Sequence, residues 1–327
     1  MTPLHPALEG FFQDKTATDA CFSARSFAVD RGEGLRLDSS VKLAEDDLKN
    51  WVLLAISRAG KSFDAKSPFI DLVLPETPSC SFRHRLHAIF PPLAPDGLMV
   101  SLRKLPSSRT FDPVWTDSPY YPSLREIVRS KQTLLISGST GSGKTRLMNE
   151  LLSEIASEER LIALEDTPEL APCHPQFFTL LSRSANADGF GEIPLRTLLK
   201  QTLRMRPDRI LLGEIRGNEV LDLLQSLNTG HQGTLATLHA NSPREALKRI
   251  EVLCLLAAGT SLPLSALREL LAGGIRWIVQ VERTAEGRVI RELVEVAGRE
   301  GDTILLRPKS PVTQLLQLKF GELHRSG

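Results

Sequence analysis

The sequence predicts a two-part α/β protein, an N-terminal α+β segment followed by a larger domain built on a parallel sheet. Three observations predict it. The chain has 327 residues, room for roughly two domains of ordinary size. Proline gathers at Pro106, Pro113, Pro119 and Pro122, among serines and aspartates, where a linker or strapped loop would lie. From residue 123 onward, short apolar runs alternate with stretches of helical periodicity, the order that a parallel sheet requires. The expected boundaries are 1–108 for the first domain, 109–121 for the linker and 122–327 for the second.

In the first part, Leu43 to Ala59 places Leu48, Trp51, Val52, Ala55 and Ile56 at helical spacing. Strand-like runs follow at Phe69–Leu74, Arg85–Phe90 and Met99–Leu102, punctuated by Pro91, Pro92, Pro95 and Gly97. In the second part, Thr133–Ser137 reads as a short buried strand. Thr145–Ile155 reads as a helix with Leu147, Met148, Leu151, Leu152 and Ile155 on one face. Strands are expected at Leu161–Leu164, Arg209–Leu212 and Gly233–Leu238, and helices at Leu195–Met205 and Glu219–Leu227. Ser242, Pro243 and Glu245 form a helix start, with a capping hydroxyl, a proline at the first helical position and an acid to close the box. A hairpin is expected from Ile275–Glu282 and Val289–Val296, turning at Gly287. No repeat of 20–50 residues and no low-complexity tract interrupts the chain.

Composition narrows the function classes. Hydrophobic residues make up 41% of the chain, yet no run approaches ~18 uninterrupted apolar residues, so no membrane span is expected. Met1 to Phe12 shows neither a basic n-region nor an apolar h-region, so no secretory signal is expected. A formal charge of +1 gives no global case for nucleic acid or anionic lipid. The four cysteines, Cys21, Cys80, Cys173 and Cys254, stand far apart without a CxxC pair and read as free thiols of a reducing compartment.

Gly138, Ser139, Thr140, Gly141, Ser142, Gly143, Lys144 and Thr145 match GxxxxGK(S/T) in full. The glycines let the backbone wrap so that several N–H groups face one phosphate, and the helix that follows adds its positive end. Lys144 can reach the β- and γ-phosphates and the Thr145 hydroxyl can ligate Mg²⁺. The pattern therefore calls for ATP and Mg²⁺. Arg209–Arg216 is an apolar strand that exits into Glu214, at the end where a parallel sheet faces its ligand, so Glu214 can orient or deprotonate an attacking water. Leu161–Asp166 repeats the device with Glu165, which acts on Mg²⁺ or on the nucleophile, or else caps a turn near Pro168. His231 and His239 flank a strand. They read either as structural histidines or as sensors of the γ-phosphate, and an eight-residue spacing without cysteine is a poor zinc pattern. Arg204, Arg206 and Arg209 precede the acid strand and could pair internally or serve a neighbour's nucleotide; Arg103 and Arg183 are further basic candidates.

Taken together, residues 83–300 resemble the secretion-motor ATPases of the type II/type IV secretion superfamily. Four of that family's motifs occur in its order: Walker A at 138–145, an Asp box at 163–170, Walker B at 210–216 and a His box at 229–241. The run 203–217 looks most like the CpaF-type ATPases of tight-adherence pili, with conjugative type IV secretion ATPases close behind. The resemblance implies a RecA-like P-loop domain, with Glu214 as catalytic acid, Glu165 in support, and His231 and His239 in the His box. It also implies a hexamer at the cytoplasmic face of the inner membrane, working on platform or secretion-channel proteins and not directly on nucleic acid.

Overall fold

The computed structural model describes residues 6–32, 34–61, 63, 67–76, 82–105, 114–185, 189–258 and 262–311. The chain divides into two compact units, Met1–Phe111 with Ala185–Gly191, and Asp112–Ser184 with Glu192–Gly327.

The first unit carries an antiparallel sheet of β1 (Asp19–Ser23), β2 (Phe27–Asp30), β3 (Leu35–Leu37), β4 (Phe69–Leu74), β5 (His84–Ile89) and β6 (Met99–Lys104), in the order β3-β2-β1-β6-β5-β4. Alternation decides which face is buried. Ala20, Phe22, Phe27, Val29, Leu86, Ala88, Val100 and Leu102 point inward and are nearly inaccessible. They pack against Leu48, Val52, Ala55 and Ile56 of α2 (Glu45–Arg58) and Leu8 and Phe11 of α1 (Pro6–Gln13). The first turn of α2 carries Glu45, Asp46 and Asp47, which suit the positive end of the helix. The predicted strands at 69–74, 85–90 and 99–102 are present. The three opening strands are an addition to the sequence expectation.

The second unit is a twisted sheet in the order β14-β13-β12-β7-β11-β10-β8-β9. Its members are β7 (Leu134–Gly138), β8 (Leu161–Glu165), β9 (Phe177–Leu181), β10 (Arg209–Leu212), β11 (Leu235–His239), β12 (Trp277–Thr284), β13 (Gly287–Glu300) and β14 (Thr303–Pro308). From β9 to β12 all neighbours run parallel, and β13 and β14 complete the sheet antiparallel. The strands are apolar on both sides because both faces are covered. Leu134, Ile136, Leu161, Ala163, Leu211, Leu235, Val279 and Val281 meet α3 (Tyr121–Arg129) and α4 (Lys144–Leu152). Leu135, Ile162, Leu164, Ile210, Leu212, Ala236, Leu238 and Ile278 meet α5 (Leu195–Thr202), α6 (Glu219–Asn228), α7 (Pro243–Ala258) and α8 (Leu264–Gly274).

The start of α7 follows its sequence cues. Ser242 Oγ accepts from the Glu245 amide at 3.2 Å, while Glu245 Oε2 accepts from the Asn241 amide, one residue before the usual partner. Of the predicted linker, 109–113 lies outside the described residues. The remainder is a strap and not a free tether: Trp115 is 1% exposed, and the buried Glu150 of α4 accepts from the amides of Val114 (3.0 Å) and Trp115 (3.1 Å).

Candidate active site

The site forms at the carboxyl ends of β7, β10 and β11, the central strands of the parallel sheet. β7 ends in Gly138, and the loop to α4 takes left-handed backbone at Gly141 (φ 74°) and Gly143 (φ 97°), which glycine adopts without strain. A Cβ on Gly138 would fall 2.5 Å from Ser142 Oγ, which instead donates to the Ser139 carbonyl at 2.8 Å. Ser139 and Thr140 are exposed on the outer turn of the loop, and Thr145 stands half-buried in the first turn of α4. The loop therefore follows a strand and opens a helix, as the phosphate cradle requires.

Lys144 is 7% exposed, and its Nζ donates to the carbonyls of Gly138 (2.9 Å) and Ser139 (2.8 Å) and approaches His239 Nδ1 at 3.2 Å. Burial pulls its pKa down to about 8; the carboxylates of Glu214 and Glu169 oppose that shift and Arg216 adds to it. His239 is brought to Lys144 by register, since β11 pairs with β7 so that His239 faces Gly138. Its Nε2 lies 3.3 Å from Glu214 Oε1. Burial, then the Lys144 charge, lower the His239 pKa, so a neutral ring that accepts at Nδ1 and donates from Nε2–H fits both contacts.

Glu214 lies two residues past β10. Arg216 donates to its Oε2 at 2.6 Å and also stands 3.6 Å from Asp166. Burial pushes the Glu214 pKa up, but Arg216, His239 and Lys144 outweigh it and hold the carboxyl below its ordinary range. One continuous chain, Lys144–His239–Glu214–Arg216–Asp166, thus spans the ends of four strands, β7, β11, β10 and β8. Glu165 closes β8 beside it. It is 2% exposed, and its Oε1 accepts from the amides of Glu169 and Leu170, both at 2.9 Å, so this carboxylate holds the turn that the sequence marks with Pro168. Gly213 is the reason it fits, because a Cβ there would sit 2.9 Å from Glu165 Cγ.

Four expected residues of this unit, His231, Arg204, Arg206 and Arg209, are not brought to this edge. His231 precedes β11, at the edge where the strands begin, roughly 16 Å of strand from His239. There its amide donates to the Ser226 carbonyl. The two histidines of one motif therefore have separate places, because a strand intervenes. Arg204 and Arg206 are exposed ahead of β10, at that same opposite edge, and Arg209 is buried there against Glu159. Arg103 ends β6 in the first unit, 2.7 Å from Asp19. Conversely, Arg216, Glu150, Trp115 and Arg288 were not singled out. Arg216 carried a local signal, two residues past Glu214 on the same strand exit. Trp115 and Arg288 reach the loop from elements distant in sequence, and Glu150, on the helix that follows the loop, accepts from the strap amides of Val114 and Trp115.

Residues 87–285 match the family described as type II/IV secretion system protein. A putative conjugal transfer protein of Mycobacterium tuberculosis is 38% identical over 297 residues, covering 89% of this chain and 83% of that one. Protein VirB11 of Agrobacterium fabrum is 30% identical over 335 residues, covering 92% and 95%. Among solved structures, the pilus retraction motor PilT with bound ADP aligns at TM-score 0.63 and 19% identity over 94% of this chain and 84% of that one. The ATPase DotB of Legionella pneumophila aligns at 0.60 and 16%, over 89% and 80%. The conjugal-transfer and VirB11 relatives stand on the type IV side of the expected superfamily. With a complete phosphate loop, an acid-bearing strand two places along the sheet and a match across most of its length, the chain belongs to the type II/IV secretion ATPase family.

Proposed function

We propose that this chain is the ATP-hydrolysing motor subunit of a bacterial secretion, conjugal-transfer or pilus machine, acting as a homo-hexamer at the cytoplasmic face of the inner membrane. The observation that carries the reading is the Lys144–His239–Glu214 contact chain at the mouth of a complete phosphate loop. Full-length likeness to a conjugal transfer protein and to VirB11 favours a type IV apparatus over a tight-adherence pilus. No helix among the described residues is long and apolar enough to cross a membrane, so attachment through a membrane-embedded platform or channel protein fits the reading.

The loop amides and the end of α4 bind the phosphate chain, and Lys144 turns from the carbonyls to the β- and γ-phosphates. Thr145 suits Mg²⁺: it presents a hard oxygen in the first turn of α4. Bound Mg²⁺ would offset the charge that develops on the phosphates. Glu214 orients the attacking water and takes its proton, and His239 links that acid to Lys144. Glu165 supports the site by fixing the turn after β8. Arg204 and Arg206, exposed at the far edge, are available to a neighbouring subunit's nucleotide.

Phosphate release from Mg²⁺-ATP tests the reading. Activity is expected to rise steeply with protein concentration, to vanish in Lys144→Ala and to fall by ~10²- to 10⁴-fold in Glu214→Gln. A chain that binds ATP under assembling conditions yet releases no phosphate would be a nucleotide-dependent regulator instead.

A further inference from the structure

The β12–β13 hairpin brings basic side chains to the flank of the phosphate loop opposite the catalytic acid. β12 pairs with β7 so that Val281 faces Gly138, and the hairpin continues past the end of β7. Arg283 Nη1 comes within 3.8 Å of where a Cβ on Gly141 would lie. Arg288 Nε donates to the Gly141 carbonyl at 3.4 Å, and its Cδ lies 2.7 Å from where a Cβ on Gly143 would be. Trp115 closes the same side, 3.1 Å from that position. Gly143 is thus a glycine for a second reason, since a side chain there would displace Arg288.

Three other arginines of this unit rest on carboxylates. Arg209 has Glu159, Arg216 has Glu214 and Arg268 has Glu251. Arg288 is half-buried, makes one long hydrogen bond and has no carboxylate within ion-pair distance among the described residues. Burial, then the charges of Arg146 and Arg283, lower its pKa, so its surroundings disfavour the cation as they stand. A guanidinium held against other cations at a phosphate-binding loop is completed by an anion.

Strand order says which anion. Lys144, His239 and Glu214 serve the β11/β10 side of β7, where the terminal phosphate is cleaved. Arg288 serves the β12/β13 side. We propose that Arg288 is a nucleotide-binding residue that holds the α-phosphate, the part of the phosphate chain common to ADP and ATP. This rests on the ATPase reading and adds a binding residue from outside the four sequence motifs.

The test is titration of the full chain, Arg288→Ala and Arg288→Lys with Mg²⁺-ADP and Mg²⁺-ATPγS, together with melting of each nucleotide-free protein. In Arg288→Ala both affinities fall by the same ~10- to 100-fold, the size of one or two charge-assisted hydrogen bonds, and Arg288→Lys recovers part of each. Unchanged affinities overturn the proposal. A loss confined to ATPγS also overturns it, by moving Arg288 to the γ-phosphate. So does a lower melting temperature without nucleotide in both variants, which would make Arg288 a brace for the loop. If the unaltered chain binds neither nucleotide, the ATPase reading itself fails; if it binds both and Arg288→Ala binds equally well, only this inference fails.

Discussion

Nucleotide binding by this protein should take up a proton. Lys144 is buried before nucleotide arrives, and burial brings its pKa to about 8. At pH 8.5, half a unit above that value, about three-quarters of the Lys144 amines are neutral. A phosphate chain beside Nζ restores the cation and returns the pKa toward the ordinary lysine range. The complex therefore binds more protons than the free protein, and affinity must weaken as pH rises through 8. Taking ~10.4 in the complex, the dissociation constant rises by about eightfold between pH 7.5 and 9. Calorimetric titration with Mg²⁺-ADP at pH 8.5, in two buffers of different ionisation enthalpy, measures the uptake directly, and about 0.7 proton per site is expected. Lys144→Arg keeps the charge at every accessible pH and should abolish the uptake. Tight binding by the unaltered chain with uptake below about 0.2 proton would refute the reasoning, because Lys144 would then already be fully charged in the free protein.

Two further predictions concern what supports the site. Arg209 has a fully inaccessible side chain and rests on Glu159, which also meets Lys131 at 3.1 Å. Glu159→Gln leaves that guanidinium buried without its counter-charge and should cost about 3–5 kcal/mol, lowering the melting temperature by on the order of 10 °C. Burial raises the Glu159 pKa, but Arg209 and Lys131 outweigh it and hold it below the ordinary glutamate range. The pair's contribution should therefore be present above pH 4.5 and be lost as pH falls through the lowered pKa; a variant as stable as the parent at pH 7 would contradict it. Glu150→Ala removes the shared acceptor for the amides of Val114 and Trp115. It should destabilise the second unit by about 2–4 kcal/mol and shift Trp115 emission to the red; unchanged emission would mean that other contacts hold the strap.

The legible parts of the sequence are those whose physics is local. The phosphate loop, the Glu214 strand exit and the α7 cap each fit within a dozen residues, and each takes the expected form. β1, β2 and β3 are three to five residues long. The first two have only two buried side chains each and β3 has none, so no periodicity accumulates. α3 has Pro122 as its second residue, inside a proline-rich stretch where the same residue type marks a loop or a helix start. His231 and His239 flank a strand in the sequence reading, and β11 accordingly carries them to opposite edges of the sheet. Arg288, Trp115 and Glu150 depend on how strands and strap assemble around β7, and nothing within a few residues of them records that.

The contacts of Lys144 and Glu214 make phosphate the natural trigger of the proposed reaction. Lys144 spends its hydrogen bonds on two loop carbonyls and a neutral histidine, an environment that lowers its pKa and so disfavours its charge. Glu214 has one oxygen on Arg216 and the other facing His239, leaving it poorly placed to hold a water. When Lys144 turns to phosphate, His239 Nδ1 loses its donor and the Nε2–H contact to Glu214 is no longer fixed from behind. In the proposed mechanism the acid then gains a free oxygen as nucleotide binds. The coupling runs through one imidazole bridging β11 and the exit of β10. His239→Ala should accordingly separate binding from hydrolysis, lowering turnover far more than ADP affinity; equal losses in both would mean that His239 only packs the loop.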